Sequence, residues 1–183
     1  MDRDNLYPYL IPGLINPDWE PICVPVGHGV YATLFEDHES EHGIVHATVN
    51  PDQLHAAGLS ADEAHRIALD NLVRFAEGEE LSMQMLGDVG DPINFLLISD
   101  HPRAAACLRL PDLFETARQV LRTDELCAVA PQRESLVVVP KRDRAYREMV
   151  VGKLREIEAD ADRPISFGLF ELTPAGVREF VEG

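Results

Sequence analysis

The sequence predicts an α+β fold in which antiparallel strand pairs alternate with amphipathic helices. Three observations carry that expectation. Short β-branched or aromatic runs come in pairs across turn-forming residues, and strands joined by such hairpins pair antiparallel. Between the pairs lie segments that open on capping residues and repeat apolar side chains at helical spacing. The chain has 183 residues, 45% of them hydrophobic and 26% charged, enough for one globular domain over 1–183.

The elements follow in order. Residues 1–29, through Tyr7-Pro8-Tyr9 and Ile11-Pro12-Gly13 to Pro17, Pro21 and Pro25, hold too many prolines for a helix or a central strand. An extended arm over the core is expected there. Val30 to Phe35 and Ile44 to Val49 read as a hairpin across a wide charged turn, Glu36 to Gly43. Asn50-Pro51-Asp52-Gln53 starts a short helix that Gly58 closes. Ser60-Ala61-Asp62-Glu63 is a capping box, and Ala64, Ile67, Ala68, Leu72, Phe75 and Ala76 then form the apolar stripe of a longer helix ending at Gly78. Asn71 lies beside that stripe; buried there, it must be hydrogen-bonded and is expected to tie the helix to a neighbouring strand or turn.

Leu81 to Leu86 and Ile93 to Ser99 form a second strand pair around Gly87-Asp88-Val89-Gly90-Asp91-Pro92. The stretch from His101 to Leu121 reads as helix interrupted at Pro111. Leu126 to Ala130 and Ser135 to Val139 make a third pair around Pro131-Gln132-Arg133-Glu134. A helix from about Asp143 to Ala159 puts Met149, Val150, Leu154 and Ile157 on one face, and Ser166 to Leu172 is a final strand. A strand-turn-strand-helix unit thus occurs twice, at Val30 to Ala76 and at Leu126 to Ala159, a structural repeat without clear residue identity.

The net charge of −16 is lopsided: residues 30–91 fall in an acidic half, with 17 acidic and 3 basic side chains over residues 1–91, whereas residues 92–183 hold 15 and 13. Such a field repels phosphate backbones and anionic lipid, so neither nucleic acid nor a membrane surface is expected as a partner, while a basic protein is attracted. The plain alternative is that the charge serves solubility. The longest apolar runs, Phe95 to Ile98 and Leu136 to Val139, fall far short of the roughly 20 residues of a membrane-spanning helix. The opening Met1-Asp2-Arg3-Asp4-Asn5 lacks the pattern of a secretory signal, and a cytoplasmic location is expected. Cys23, Cys107 and Cys127 are widely spaced and odd in number, which argues against a disulfide framework; Cys107 and Cys127 read as small buried hydrophobes.

The ordered segments resemble the YtpQ-like uncharacterised bacterial proteins over most of the chain, from Tyr7 to Phe170. The features that carry the resemblance are the strand into Val49-Asn50-Pro51-Asp52-Gln53-Leu54, the Gly58-Leu59-Ser60 break and Ala68-Leu69-Asp70-Asn71-Leu72. With them go Ala128-Val129 before Pro131-Gln132-Arg133-Glu134, and Arg163-Pro164-Ile165-Ser166. The resemblance implies a fold and a bacterial origin but no activity. Asp100-His101-Pro102-Arg103-Ala104-Ala105-Ala106 departs from the relatives' pattern, where a glycine-containing turn, a second acid and an arginine precede the helix; of these only Asp100 is kept.

Two functional readings follow. The first is a non-enzymatic interaction module, inhibitor-like or immunity-like, that docks a basic partner through its acidic half. The second is an enzyme or small-ligand binder with a cleft near Asp100, His101, Arg133 and Glu134, where His101 or Glu134 acts as acid or base and Arg133 holds an anion. His38, His42 and His46, at four-residue intervals, are weak metal candidates, since Gly43 and the hairpin break the helical geometry that would align them. Lys141, Arg142, Arg144 and Arg147 are the one basic cluster, and a homodimer is conceivable if it meets the acidic half of a second copy. No phosphate loop, dinucleotide fingerprint, Gly-x-Ser-x-Gly elbow or paired zinc knuckle is present, so no cofactor is expected.

Overall fold

A computed structural model describes residues 1–13, 22–41, 43–78, 81–88 and 94–182. Pro17 and Pro21 of the expected arm, His42, and residues 89–93 of the second turn lie outside them. Among the described residues the chain forms ten strands and four α-helices, with the strands in two antiparallel sheets, an α+β fold as the sequence predicts.

The first sheet contains β1 (Leu6–Pro12), β2 (Val24–Gly27), β3 (Val30–Ser40) and β4 (Gly43–Thr48). β3 is its spine: β1 runs along one side, and β2 and β4 share the other. The expected arm is therefore in part a paired strand, with Leu6 to Pro12 in register against Glu36 to Val30. Its prolines are tolerated because β1 is an edge, where alternate N–H groups make no ladder bond. The wide charged turn is also shorter than its acids suggest. β3 continues to Ser40 opposite Gly43, so Glu36 and Asp37 are strand residues, and both are buried. Carboxylates leave water only when partnered, and Asp37 has such a partner in Arg103, on the loop between Ser99 and Ala105.

Asn50 and Ser60 cap α1 (Pro51–Ala56) and α2 (Ala61–Glu77), each closing a capping box with Gln53 and Glu63. Ala64 and Ala68 of α2 pack with Leu6, Leu34, Val49 and Leu54. Asn71 is buried as required: its amide donates to the carbonyls of Arg3 at 2.7 Å and Leu6 at 2.8 Å, pinning α2 to the start of β1.

The second sheet runs in the order β10-β9-β7-β8-β6-β5. Its strands are β5 (Ser82–Leu86), β6 (Phe95–Ser99), β7 (Leu126–Gln132), β8 (Ser135–Pro140), β9 (Phe170–Thr173) and β10 (Gly176–Glu179). Pro131 sits inside β7 at a register irregularity, where a missing donor is tolerated, so the third hairpin turns tightly on Arg133 and Glu134. α4 (Arg144–Ile157) is capped by Asp143 and covers one face of this sheet. Its buried stripe is Tyr146, Val150 and Leu154, at intervals of four, while Met149 and Ile157, expected on that face, are exposed.

The opposite face forms the main core with α3 (Leu113–Leu121), with Leu72 and Phe75 of α2, and with Leu10, Val30 and Ala32 of the first sheet. The helix expected from His101 is instead a 3-10 helix, Ala105–Arg109, buried from Ala105 to Leu108. The Ala105 N–H donates across to the Arg133 carbonyl at 3.0 Å, and Pro111 stops any extension, so an α-helical ladder never begins. The strand-turn-strand-helix order does recur, as β3-β4 before α1 and α2 and as β7-β8 before α4.

The two sheets are also joined at the turn between β2 and β3. His28, in the left-handed region at φ 51°, receives Glu179 on its backbone N–H at 3.0 Å and donates its Nε2–H to the Leu169 carbonyl at 2.6 Å. Its ring lies so close to Gly168 that a Cβ there would sit 2.4 Å from the ring.

Candidate functional site

The residues with the most chemistry meet where the β3-β4 hairpin faces the loop after β6. Strand alternation puts Tyr7, Tyr9, Phe35 and Asp37 on one face of the first sheet, and the register places His46 opposite Asp37. Arg103 enters from the loop that follows β6. Asp37 Oδ2 accepts from the Tyr9 hydroxyl at 2.9 Å, from Arg103 Nε at 2.9 Å and from Arg103 Nη2 at 2.6 Å, while Oδ1 lies 2.8 Å from His46 Nδ1. The side chains of Asp37 and Arg103 are only 4% and 7% exposed.

Aromatic rings complete the enclosure. The Arg103 guanidinium carbon lies 3.5 Å from the centre of the Tyr7 ring and 4.4 Å from that of Phe75, a cation held against two π faces. Burial, then the Asp37 charge, pushes the Tyr9 phenol far above its ordinary range, so it stays a donor. The His101 ring stacks on Phe75 with centres 4.5 Å apart, and its Nδ1 accepts from the Arg103 backbone N–H at 3.1 Å. Burial, aided by the Arg103 charge, draws His101 down to about 4. It is a neutral imidazole near pH 7, with its proton on Nε2.

This arrangement is a filled network. The Asp37 carboxylate spends its acceptors on protein donors, and its charge is matched by Arg103 in a site nearly closed to water. An ion pair so buried contributes little over a well-packed apolar pair, but breaking it by removing one partner is costly. It ties the first sheet to the loop that follows β6.

The four residues of the expected cleft are placed as follows. His101 borders the Asp37 network on one side. Arg133 approaches it on another, its guanidinium carbon 5.2 Å and 5.5 Å from the Tyr9 and Phe35 ring centres, with burial and the Arg163 charge pulling its pKa down. Asp100 is exposed, in the left-handed region at φ 64°, and accepts from Ser99 Oγ at 2.8 Å. Glu134 is exposed and borders a separate polar hollow with Gln132, Glu158 and Asp160. His46 shares the Asp37 face, whereas His38, one residue along β3 from Asp37, lies on the other face, 3.8 Å from Glu36. Among the described residues no group of three or more His, Cys, Asp or Glu is arranged to hold a metal.

Tyr9, Asp37 and Arg103 were not singled out by sequence reasoning. A signal existed for two of them. Asp37 continues the alternation of Thr33 and Phe35, and Arg103 is a lone charge opening an alanine run bound for the core, which calls for a buried counter-charge. Cys107 and Cys127 are buried, with thiols pushed up to about 12 and about 11 by burial. The basic cluster is largely matched within the chain: Lys141 to Glu171 at 2.7 Å, Arg144 to Glu148 at 2.7 Å, Arg147 to Glu182 at 3.2 Å, and Arg142 to Asn94 at 2.8 Å.

A different kind of site lies at the margin of the second sheet. Among the described residues β5 pairs with β6 alone, leaving its outer edge open, and Met83, Met85 and Leu86 are exposed along it. Met83 also lines a groove with Val73, Glu77, Leu110 and Asp112, between α2 and the start of α3. Glu77, Asp88 and Asp112 give this margin an acidic rim, and all three are exposed. No helix among the described residues is long and apolar enough to cross a membrane. The chain matches no family model, no curated protein and no solved structure.

Proposed function

We propose that the protein is a non-enzymatic, cytoplasmic interaction module, of inhibitor or immunity type, that docks a basic protein partner. The observation that carries this reading is the β5 edge, with which no further strand pairs among the described residues, beside exposed Met83, Met85 and Leu86 and rimmed by Glu77, Asp88 and Asp112. An extended segment adds to such an edge through its main chain, and its side chains decide specificity. Alternating apolar and Lys or Arg residues suit this margin, the apolar ones against the methionines and the cations against the rim. The filled Asp37 network supports the same reading, because it leaves the most reactive side chains engaged with one another.

The YtpQ-like resemblance belongs to this proposal. Two of its segments, distant in sequence, are joined in space: Ile165 N–H donates to the Pro131 carbonyl at 2.8 Å and Ser166 N–H to that of Ala130 at 3.0 Å. The competing reading, a ligand site at the Asp37 network, draws support from the approach of His101 and Arg133 to it.

The test is capture from bacterial lysate with tagged wild-type chain and with the Met83→Lys, Met85→Lys double variant, eluted in a salt gradient. Stoichiometric capture of a basic protein that salt releases and the variant loses is the expected result. Capture that is indifferent to salt, or equal for both baits, counts against the proposal.

A further inference from the structure

On the far side of Leu110 and Leu113 from the β5 groove, a hollow of about 280 Å³ opens between the start of α3 and the turn joining β9 to β10. Leu108, Leu110, Phe114, Leu172 and Val177 give it apolar walls, and Arg109 is the single charged residue among those that line it. Thr173 offers no free hydroxyl proton, since its Oγ1 donates to the Gly176 carbonyl at 2.8 Å.

Arg109, like Arg133 and Arg163, is an arginine that no carboxylate among the described residues meets at ion-pair distance. Among the described residues it forms no hydrogen bond and no ion pair. Burial lowers its pKa. Arg118, nine residues on, shows the ordinary case: it is bound to Glu115 at 2.8 Å and to Asp124 at 3.3 Å. A half-buried guanidinium has lost part of its hydration, and where no counter-ion stands against it among the described residues an incoming anion recovers that loss. The planar fork of arginine matches a carboxylate through two parallel hydrogen bonds.

We propose that this hollow is a binding site for a small amphiphilic carboxylate, its acid group held by Arg109 and its apolar body against Phe114, Leu172 and Val177. The volume lies at the low end of the roughly 300–1,000 Å³ usual for ligand sites, which suits a short-chain or single-ring acid and excludes a nucleotide. A free phosphate would use the guanidinium but none of the apolar wall. This site is distinct from the β5 edge and stands or falls independently of partner docking.

The test is an amide-resolved NMR titration of the full chain with sodium octanoate, with octylamine, acetate and inorganic phosphate as comparison probes. Octanoate is expected to shift the amides of residues 108–114 and 172–177 saturably, while the other three shift them weakly or not at all. Arg109→Gln weakens octanoate at least about tenfold, and Arg109→Lys, which keeps the charge but not the fork, falls between. Amide dispersion verifies that each variant is folded, and the lysine variant keeps the test alive should glutamine disturb the fold. The proposal is overturned if octylamine or phosphate equals octanoate, if no saturable shifts occur, or if Arg109→Gln binds octanoate as the wild type does.

Discussion

Arg103 and Arg109 stand six residues apart on one short segment and show two opposite uses of charge. At Arg103 the cation is sealed between the Tyr7 and Phe75 rings, and two of its nitrogens donate to Asp37. Arg109 lines an open hollow, and no ion pair to it is found among the described residues. The same division separates the junction, where Tyr9, Asp37, His46 and Arg103 satisfy one another, from the margin, where among the described residues no strand pairs with the outer edge of β5 and its methionines are exposed. Groups that satisfy one another hold the fold, and groups left unmet by their own chain are where a partner or ligand gains most.

Breaking the junction tests its half of that contrast. Asp37→Ala strands Arg103 as an uncompensated buried charge and should cost about 3–5 kcal/mol in urea unfolding. The apolar double variant Asp37→Leu, Arg103→Met should recover most of that loss, because no charge is then left buried. A single loss near zero would mean that water reaches the pair. Gly168→Ala drives a methyl into the His28 side chain and should cost about 1–3 kcal/mol, relieved in part when His28→Ala removes the ring but leaves its Cβ. Equal destabilisation with and without His28 would show that the ring is not what needs the glycine. Asn71→Ala leaves the Arg3 and Leu6 carbonyls short of a donor, for about 1–2 kcal/mol.

The smallest effect at the junction is one of pH. His101 has its folded pKa near 4, below its ordinary 6.5, so the unfolded chain takes up a proton that the folded one refuses. Its stabilisation is complete above about pH 6.5 and is lost as pH falls towards 4. Half-exposure screens the effect to about 1 kcal/mol or less. His101→Asn, whose carbonyl can still accept from the Arg103 N–H, should flatten the difference in urea midpoint between pH 7.5 and pH 5. An unchanged difference would assign that slope to the carboxylates instead.

The fold was legible where one local rule suffices. The capping boxes at Asn50 and Ser60, the buried amide of Asn71 and the paired strands around Arg133 all follow from residues within a few positions of one another. What was illegible depended on distant partners. Asp37 sits in a run of charges, Glu36 to Glu41, that reads as a solvated turn, and only Arg103, 66 residues on, makes it a buried strand residue. The 3-10 helix from Ala105 reads as α-helix because its alanines favour one, yet its first N–H is claimed by Arg133 in the β7-β8 turn. The same limit governs the site: His101 and Arg133 were visible as candidates, but Asp100 and Glu134, their neighbours in sequence, point their chemistry elsewhere.

The central claim is that the open β5 edge receives a basic extended segment while the junction only holds the fold. The most direct measurement is an amide-resolved titration of the full chain with a synthetic peptide of alternating valine and lysine, at low and at high salt. The account predicts shifts centred on residues 82–86, weakened by salt and abolished by Met83→Lys, Met85→Lys, with the variant's stability within about 0.5 kcal/mol of wild type. Shifts that scatter over the acids of α1 and α2, or that survive in the variant, would contradict it.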